Sequence, residues 1–159
     1  MTGHGASVLP DEAEAFQGRP AGLVSRSVAA VIDGGVVGGA LLAAYLGVSA
    51  ALFAINPRGF TFPQSLGLFS LAVAWALAVV YLTIGWWIAG RTYGCAVMGL
   101  RVVGRGDRNI RFLPALVRAG LSTFFPIGLA WCAVDRKARA VHDLVTRSHV
   151  IYDWRHREE

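Results

Sequence analysis

The sequence predicts an all-α membrane protein. Two transmembrane helices form a hairpin, a third hydrophobic segment either re-enters or spans the bilayer, and two short segments pair as a small cytoplasmic β-hairpin. Apolar residues make up 55% of the 159 residues and charged residues only 16%, whereas a soluble domain has about 25% charged residues. The apolar residues also form three long blocks separated by basic segments, which is typical of helices that cross a membrane.

The first two hydrophobic blocks are long enough to span a bilayer. From residue 28 to 55 the only charged residue is Asp33, and from 64 to 89 there is none. At about 1.5 Å per residue, either block exceeds the roughly 30 Å of hydrocarbon that a helix has to cross. Turn-forming residues at 56–59 end the first helix, and Pro63 suits the first turn of the second. We therefore expect a helical hairpin.

The third block, residues 112–134, is consistent with two topologies. It contains Arg118, and a Phe-Pro-Ile-Gly sequence at 125–128 interrupts it. If the block spans once, the six basic residues after it lie outside the cell, against the positive-inside rule. A broken re-entrant segment keeps them in the cytoplasm, but protein has to cover its irregular backbone. Both topologies stay open at this point.

The net charge of +5 follows the topology of the chain. Eleven of the fifteen basic residues flank the third block in two clusters, at 91–111 and 136–157. This distribution predicts a multi-pass protein of the plasma (inner) membrane with the N-terminus, and under the re-entrant topology the C-terminus, in the cytoplasm. Anionic lipid then accounts for the positive charge, so we expect no nucleic-acid partner.

Three regions follow from the composition. Residues 1–20 are small, acidic and punctuated by Pro and Gly, which predicts a flexible N-terminal tail without a signal peptide. Residues 21–152 form the membrane domain, and 153–159 form a C-terminal tail. Within the membrane domain, Leu100–Val103 and His149–Tyr152 are β-branched and short, as strands are. Their pairing requires both to lie on the same side of the membrane, so it favours the re-entrant topology.

Charged residues within the hydrophobic blocks are the candidate functional site. Arg26 and Asp33 are seven residues apart and share one face of the first helix. A carboxylate at the bilayer centre costs about 2.5–3.5 kcal/mol and needs a partner, for which Arg118 is the expected cation. Alternatively, Asp33 lies near the headgroups and pairs with Arg26 or a backbone N–H for structural reasons. No catalytic, metal-binding or cofactor motif is found in the sequence, so we expect neither an enzyme nor a bound cofactor.

The opposite face of the first helix carries small residues at four-residue spacing. This stripe, which we call the glycine stripe, consists of Gly34, Gly35, Gly38 and Gly39. Small residues at this spacing let another helix backbone approach closely. The partner helix is either the second helix of the hairpin or a helix of another subunit.

Several motifs together resemble the RDD family, which is named for one Arg and two Asp. An Arg begins the first helix, an Asp follows seven residues later, Gly-x-Thr-x-Gly follows the second helix, and His-Asp-Leu follows the third block. The three name-giving residues are Arg26, Asp33 and Asp143 here. The supporting residues are Gly90, Thr92, Gly94, Gly99, Leu100, Arg101, Val102, Val103, Arg118, Asp135 and His142. The resemblance covers residues 21–152, and residues 145–148 depart from the family's usual small-Gly-Thr turn.

The resemblance implies an integral membrane protein with a role in transport. The ending at 150–154 is similar to RDD proteins of actinobacteria associated with Mce-type lipid importers. We therefore expect a small accessory subunit of a transporter or envelope complex, whose partners are membrane lipids and, through the first helix, a larger complex or a second copy. The alternative is an oligomeric cation/proton exchanger that uses Asp33. The resemblance implies functional roles for Arg26, Asp33 and Asp143, and the charge argument adds Arg118.

Overall fold

The computed structural model describes residues 17–64, 67–104, 109–124, 141–146 and 148–153, which are mostly helical. In chain order the elements are α1 (Leu23–Ile55), a 3-10 turn (Pro57–Gly59), α2 (Leu68–Ile84) continued by a π-helical turn (Gly85–Ala89), α3 (Tyr93–Val97), β1 (Leu100–Val103), α4 (Phe112–Phe124), α5 (Val141–Thr146) and β2 (His149–Tyr152).

Two helices are long and apolar enough to cross a membrane. They are Leu23–Ile55 and Leu68–Ala89, whose most apolar 18-residue windows have mean hydropathies of 2.0 and 2.1. Only 6% and 11% of their most apolar windows are buried within the chain. A core helix of a soluble protein would be mostly buried, so these surfaces suit contact with lipid or with another membrane protein.

The boundaries of the helical hairpin differ from the prediction at both N-termini. Helix α1 begins at Leu23, five residues early, which places Arg26 within its first turn. Helix α2 begins at Leu68 rather than at 64, so the prediction that Pro63 lies in its first turn is wrong. The helix is preceded by Gly67 at φ 56°, a left-handed conformation that interrupts a right-handed helix. The predicted turn after α1 is confirmed: the Asn56 side chain accepts a hydrogen bond from the Gly59 amide at 3.2 Å.

The two predicted strands are confirmed with their boundaries. Strands β1 and β2 are antiparallel, and Val102 pairs with Val150 in the centre of the register. The two valines are 0% and 3% exposed and belong to the hydrophobic core. The other edge of β2 is also paired, since the Gly18 amide donates to the Tyr152 carbonyl at 2.8 Å and the Ala21 amide to the Val150 carbonyl at 2.9 Å. The last residues of the predicted tail, 17–20, therefore lie against the sheet.

Within the described residues, the third hydrophobic block contains one short apolar helix. Helix α4 has 13 residues, about 20 Å at 1.5 Å per residue, and packs mainly against α2. Its buried residues, Ala115, Arg118 and Ala119, lie on one face. The predicted break at 125–128 and the rest of the block lie outside the described residues.

Candidate functional site

A cluster of buried charges joins the beginning of α1, the middle of α4 and the beginning of the C-terminal region. Asp143 on α5 is 0% exposed and accepts from both arginines. The Arg26 Nη1 atom lies 2.5 Å from Asp143 Oδ2, and Arg118 Nη1 donates to the other carboxylate oxygen. Arg118 Nη1 also donates to the Ser148 hydroxyl at 2.7 Å. We call these four residues the Arg–Asp–Arg cluster.

Both arginines of the cluster are buried within the fold. Arg26 is 6% exposed and Arg118 is 3% exposed, and the Arg118 guanidinium lies over the Trp86 ring, 4.7 Å from its centroid, as in a cation–π contact. Burial lowers the pKa of Arg118 from its ordinary value, and the charge of Asp143 raises it. An arginine stays protonated under such opposing effects, so two cations share one carboxylate here.

Asp33 has a separate set of partners. Its Oδ1 atom accepts from the Tyr81 hydroxyl at 2.8 Å and from the Gly94 amide at 2.7 Å. Its Oδ2 atom accepts from the Thr92 hydroxyl at 2.5 Å. Three donors from α2 and the start of α3 thus bind one carboxylate of α1.

The local sequence Gly-x-Thr-x-Gly after α2 builds this Asp33 site. Gly90 adopts φ 67° and ends the π-helical turn. Thr92 caps α3, since its hydroxyl accepts from the Cys95 amide at 3.3 Å. At Gly94, a Cβ atom would overlap the Ala29 carbonyl and lie 2.9 Å from Asp33 Cγ. Only glycine therefore lets α3 approach α1 closely enough to donate its amide to the carboxylate.

The expected pairing of Asp33 with Arg118 is wrong. Arg118 binds Asp143 and Ser148, and Asp33 binds two hydroxyls and an amide, close to the structural alternative of a backbone N–H partner. The structure does bring Arg26, Arg118 and Asp143 together. Sequence reasoning missed the contributions of Ser148 and Tyr81. Ser148 follows the His-Asp-Leu motif closely, and its amide donates to the Asp143 carbonyl at 3.0 Å.

A cavity of about 490 Å³ connects the two sites, within the usual volume of a ligand pocket. Its polar lining includes Arg26, Asp33 and Arg118, and its remaining walls are mostly apolar side chains of α1, α2 and α4 with the sheet at one end. The apolar lining residues include Val37, Leu71, Trp75, Ala78, Leu82 and Trp86.

The glycine stripe is uncovered in the described part of the chain. Gly34, Gly35, Gly38 and Gly39 are exposed, and a Cβ atom added to any of them meets no described atom within 4 Å. The interpretation that this stripe packs against the second helix of the hairpin is therefore wrong. The interpretation that it contacts another subunit stays a prediction.

These features define a class: a small helical membrane protein with two lipid-length helices, whose buried Arg–Asp–Arg cluster ties the first helix to the C-terminal region. Comparison with known families agrees, since the model of the RDD family matches residues 20–147. The chain belongs to the RDD family. Neither the curated proteins nor the solved structures contain a significant match to it.

Proposed function

We propose that this protein is an accessory subunit of a larger transporter or envelope complex in the plasma membrane, of the kind that takes up lipid as Mce-type importers do. The observation that carries the proposal is the uncovered glycine stripe of α1. In lipid, helices associate through close backbone contact rather than through the hydrophobic effect. Four exposed glycines on one face of a 33-residue helix supply such a contact surface.

The experiment is affinity purification of the tagged full-length chain from its native membranes in a mild detergent. We expect a stoichiometric membrane partner, which is lost when Gly35→Leu and Gly39→Leu are introduced together. Ala40→Leu is the matched control, because Ala40 is exposed on the opposite face of α1. Recovery of the 17.0 kDa chain alone, or a partner indifferent to the leucines, would refute the proposal. Recovery of two copies of this chain would replace it with a homo-oligomer.

The proposed topology has both termini in the cytoplasm and a re-entrant third segment. Its support is the pairing of β2 with β1 on one edge and with residues 18–21 on the other. Three segments that share hydrogen bonds have to lie on one side of the bilayer, and the basic residues around them favour the cytoplasm. A reporter fused after Glu159 tests this topology. Periplasmic reporter activity would overturn it.

The alternative function, an oligomeric cation/proton exchanger, draws on the position of Asp33 in the cavity wall. Intramembrane carboxylates frequently mark ion pathways. Against it, both oxygens of Asp33 already accept hydrogen bonds from Tyr81, Thr92 and Gly94, which is what a structural carboxylate does. Purified protein in liposomes distinguishes the two: an exchanger moves protons and monovalent cations and loses this flux in Asp33→Asn, whereas an accessory subunit shows none.

A further inference from the structure

Helix α4 has its polar and apolar residues on the opposite sides from those of a helix in water. Each residue of an α-helix is rotated by about 100° from the last, so the side chains of α4 divide into two halves. Arg118, the charged residue of this helix, is buried on one half together with Ala115 and Ala119. The other half, which we call the outer half, carries exposed apolar side chains: Phe112, Leu113, Leu116, Val117, Leu121 and Phe124.

This arrangement does not suit contact with water. A helix on the surface of a soluble protein buries its apolar stripe and exposes polar residues. The other polar residues of α4, Ser122 and Thr123, are half-buried, and their hydroxyls donate to the Ala119 carbonyl at 3.0 and 2.8 Å. The exposed side chains of α4 therefore form a continuous apolar surface, which in proteins marks contact with a membrane or with another protein.

Helix α4 begins beside the end of α2. The Phe112 ring contacts the Trp87 ring edge to face, with centroids 5.4 Å apart and planes at 77°. Trp87 belongs to the π-helical turn that ends α2, and the residue before Phe112 is the exposed Arg111. Aromatic rings and basic residues are enriched where membrane helices pass from hydrocarbon to headgroups. The start of α4 and the end of α2 therefore share one membrane boundary.

From this boundary α4 runs back along α2. It packs mainly against α2, and its last turn lines the cavity with Ser122 and Thr123, together with Leu71 and Trp75 from the first half of α2. The two helices are therefore antiparallel. At about 1.5 Å per residue, α4 rises about 18 Å between its first and last residues, which is a little more than half of the roughly 30 Å of hydrocarbon.

We propose that α4 enters the hydrocarbon beside α2 and that its outer half contacts the acyl chains of the bilayer, with Phe124 near the midplane. A protein partner fits this surface less well, because protein interfaces surround their apolar centre with a polar rim. The buried half keeps Arg118 away from the acyl chains, in contact with Asp143 and Trp86. This lipid contact goes beyond the proposed function, since it concerns a surface other than the glycine stripe.

The experiment measures the depth of nitroxide spin labels in liposomes of phosphatidylethanolamine and phosphatidylglycerol. The labels are attached one at a time in Leu113→Cys, Val117→Cys and Phe124→Cys, which lie along one line of the outer half. The full-length chain is used, with Cys95→Ala and Cys132→Ala. We expect collisions with oxygen to rise and collisions with a water-soluble nickel chelate to fall in that order. Phe124→Cys should be about 12–16 Å deeper than Leu113→Cys.

Two reference labels calibrate these depths. Leu42→Cys reports the exposed surface of α1, and Phe62→Cys reports the exposed segment after the 3-10 turn. Equal depths for the three α4 labels mean that the helix lies flat among the headgroups. Low collision rates with both reagents mean that protein covers the outer half, and high chelate rates at all three positions mean that water does. Each of these results would overturn the proposal.

Photo-crosslinking examines the same surface in native membranes and retains both cysteines. The photoreactive amino acid benzoylphenylalanine replaces Val117, and the same replacement at Phe62 is the control for reaction outside the hydrocarbon. We expect an adduct with phospholipid at Val117, identified by its mass. An adduct with another protein at this position, and none with lipid, would refute the lipid contact.

These outcomes are separable from those of the proposed function. Loss of the partner complex in the variant with Gly35→Leu and Gly39→Leu leaves the label depths on α4 unchanged, because the stripe is a different surface. A periplasmic reporter at Glu159 would overturn the re-entrant topology but not the lipid contact, since the labels report depth from the nearer boundary. Conversely, a flat or covered α4 leaves partner capture to decide the accessory role.

Discussion

Asp143 is the shared counter-ion of two buried arginines. Its carboxylate is 0% exposed and balances two arginines that are themselves buried. Asp143→Asn preserves the shape of the side chain and removes the charge, which leaves both guanidinium groups without a counter-ion. Breaking a buried ion pair by removing one partner costs about 3–5 kcal/mol, a large share of the about 5–15 kcal/mol by which a protein is stable.

The measurement is the free energy of unfolding in mixed micelles, followed by circular dichroism. Asp153→Asn is the matched control, because Asp153 lies 3.3 Å from Arg101 in a pair whose side chains are 15% and 20% exposed. The Gln17 side-chain amide also donates to Asp153 at 2.9 Å, but this carboxylate is more exposed than Asp143 and balances one arginine rather than two, so its loss costs less. If Asp143→Asn destabilises the protein no more than Asp153→Asn does, the arginines do not depend on this carboxylate and the reasoning is wrong.

Further predictions concern the contact between α1 and α3. Gly94→Ala destabilises the fold by about 2 kcal/mol or more, because the added Cβ overlaps the Ala29 carbonyl. Its control, Gly120→Ala, has free space within a helix and stabilises the fold by up to about 1 kcal/mol. Equal changes in the free energy of unfolding for the two variants would contradict the close contact at Gly94. Thr92→Val removes both a helix cap and a donor to the α1 carboxylate and costs about 2 kcal/mol. Thr83→Val is the control: Thr83 is equally buried, and its hydroxyl makes one hydrogen bond within its own helix, so its loss costs about 1 kcal/mol or less. If Thr83→Val lowers the melting temperature more than Thr92→Val does, the result counts against the Asp33 site.

The sequence predicts the helical hairpin and both strands because each depends on local patterns. Uncharged runs, a turn at 56–59 and β-branched tetrapeptides are all read within a few residues. The start of α2 was misplaced because Gly67, at φ 56°, overrides the signal from Pro63.

The partners of the buried charges could not be predicted in the same way. Asp143 lies 117 residues from Arg26 and 25 from Arg118, and no local pattern links positions so distant. The assumption that a buried carboxylate needs a cation also failed at Asp33, because two hydroxyls and an amide donate to it instead. Its amide donor, Gly94, was recognisable only as part of a family motif.

The 117-residue separation between Arg26 and Asp143 determines when their ion pair can form during synthesis. During synthesis, α1 enters the membrane with its arginine while the carboxylate that neutralises it is still 117 residues from being translated. The long loop closure makes this contact late. Until α5 has been synthesised, the chain contains Arg26 and Arg118 without the carboxylate that pairs with both. The cluster is therefore completed only when the C-terminal region has been made.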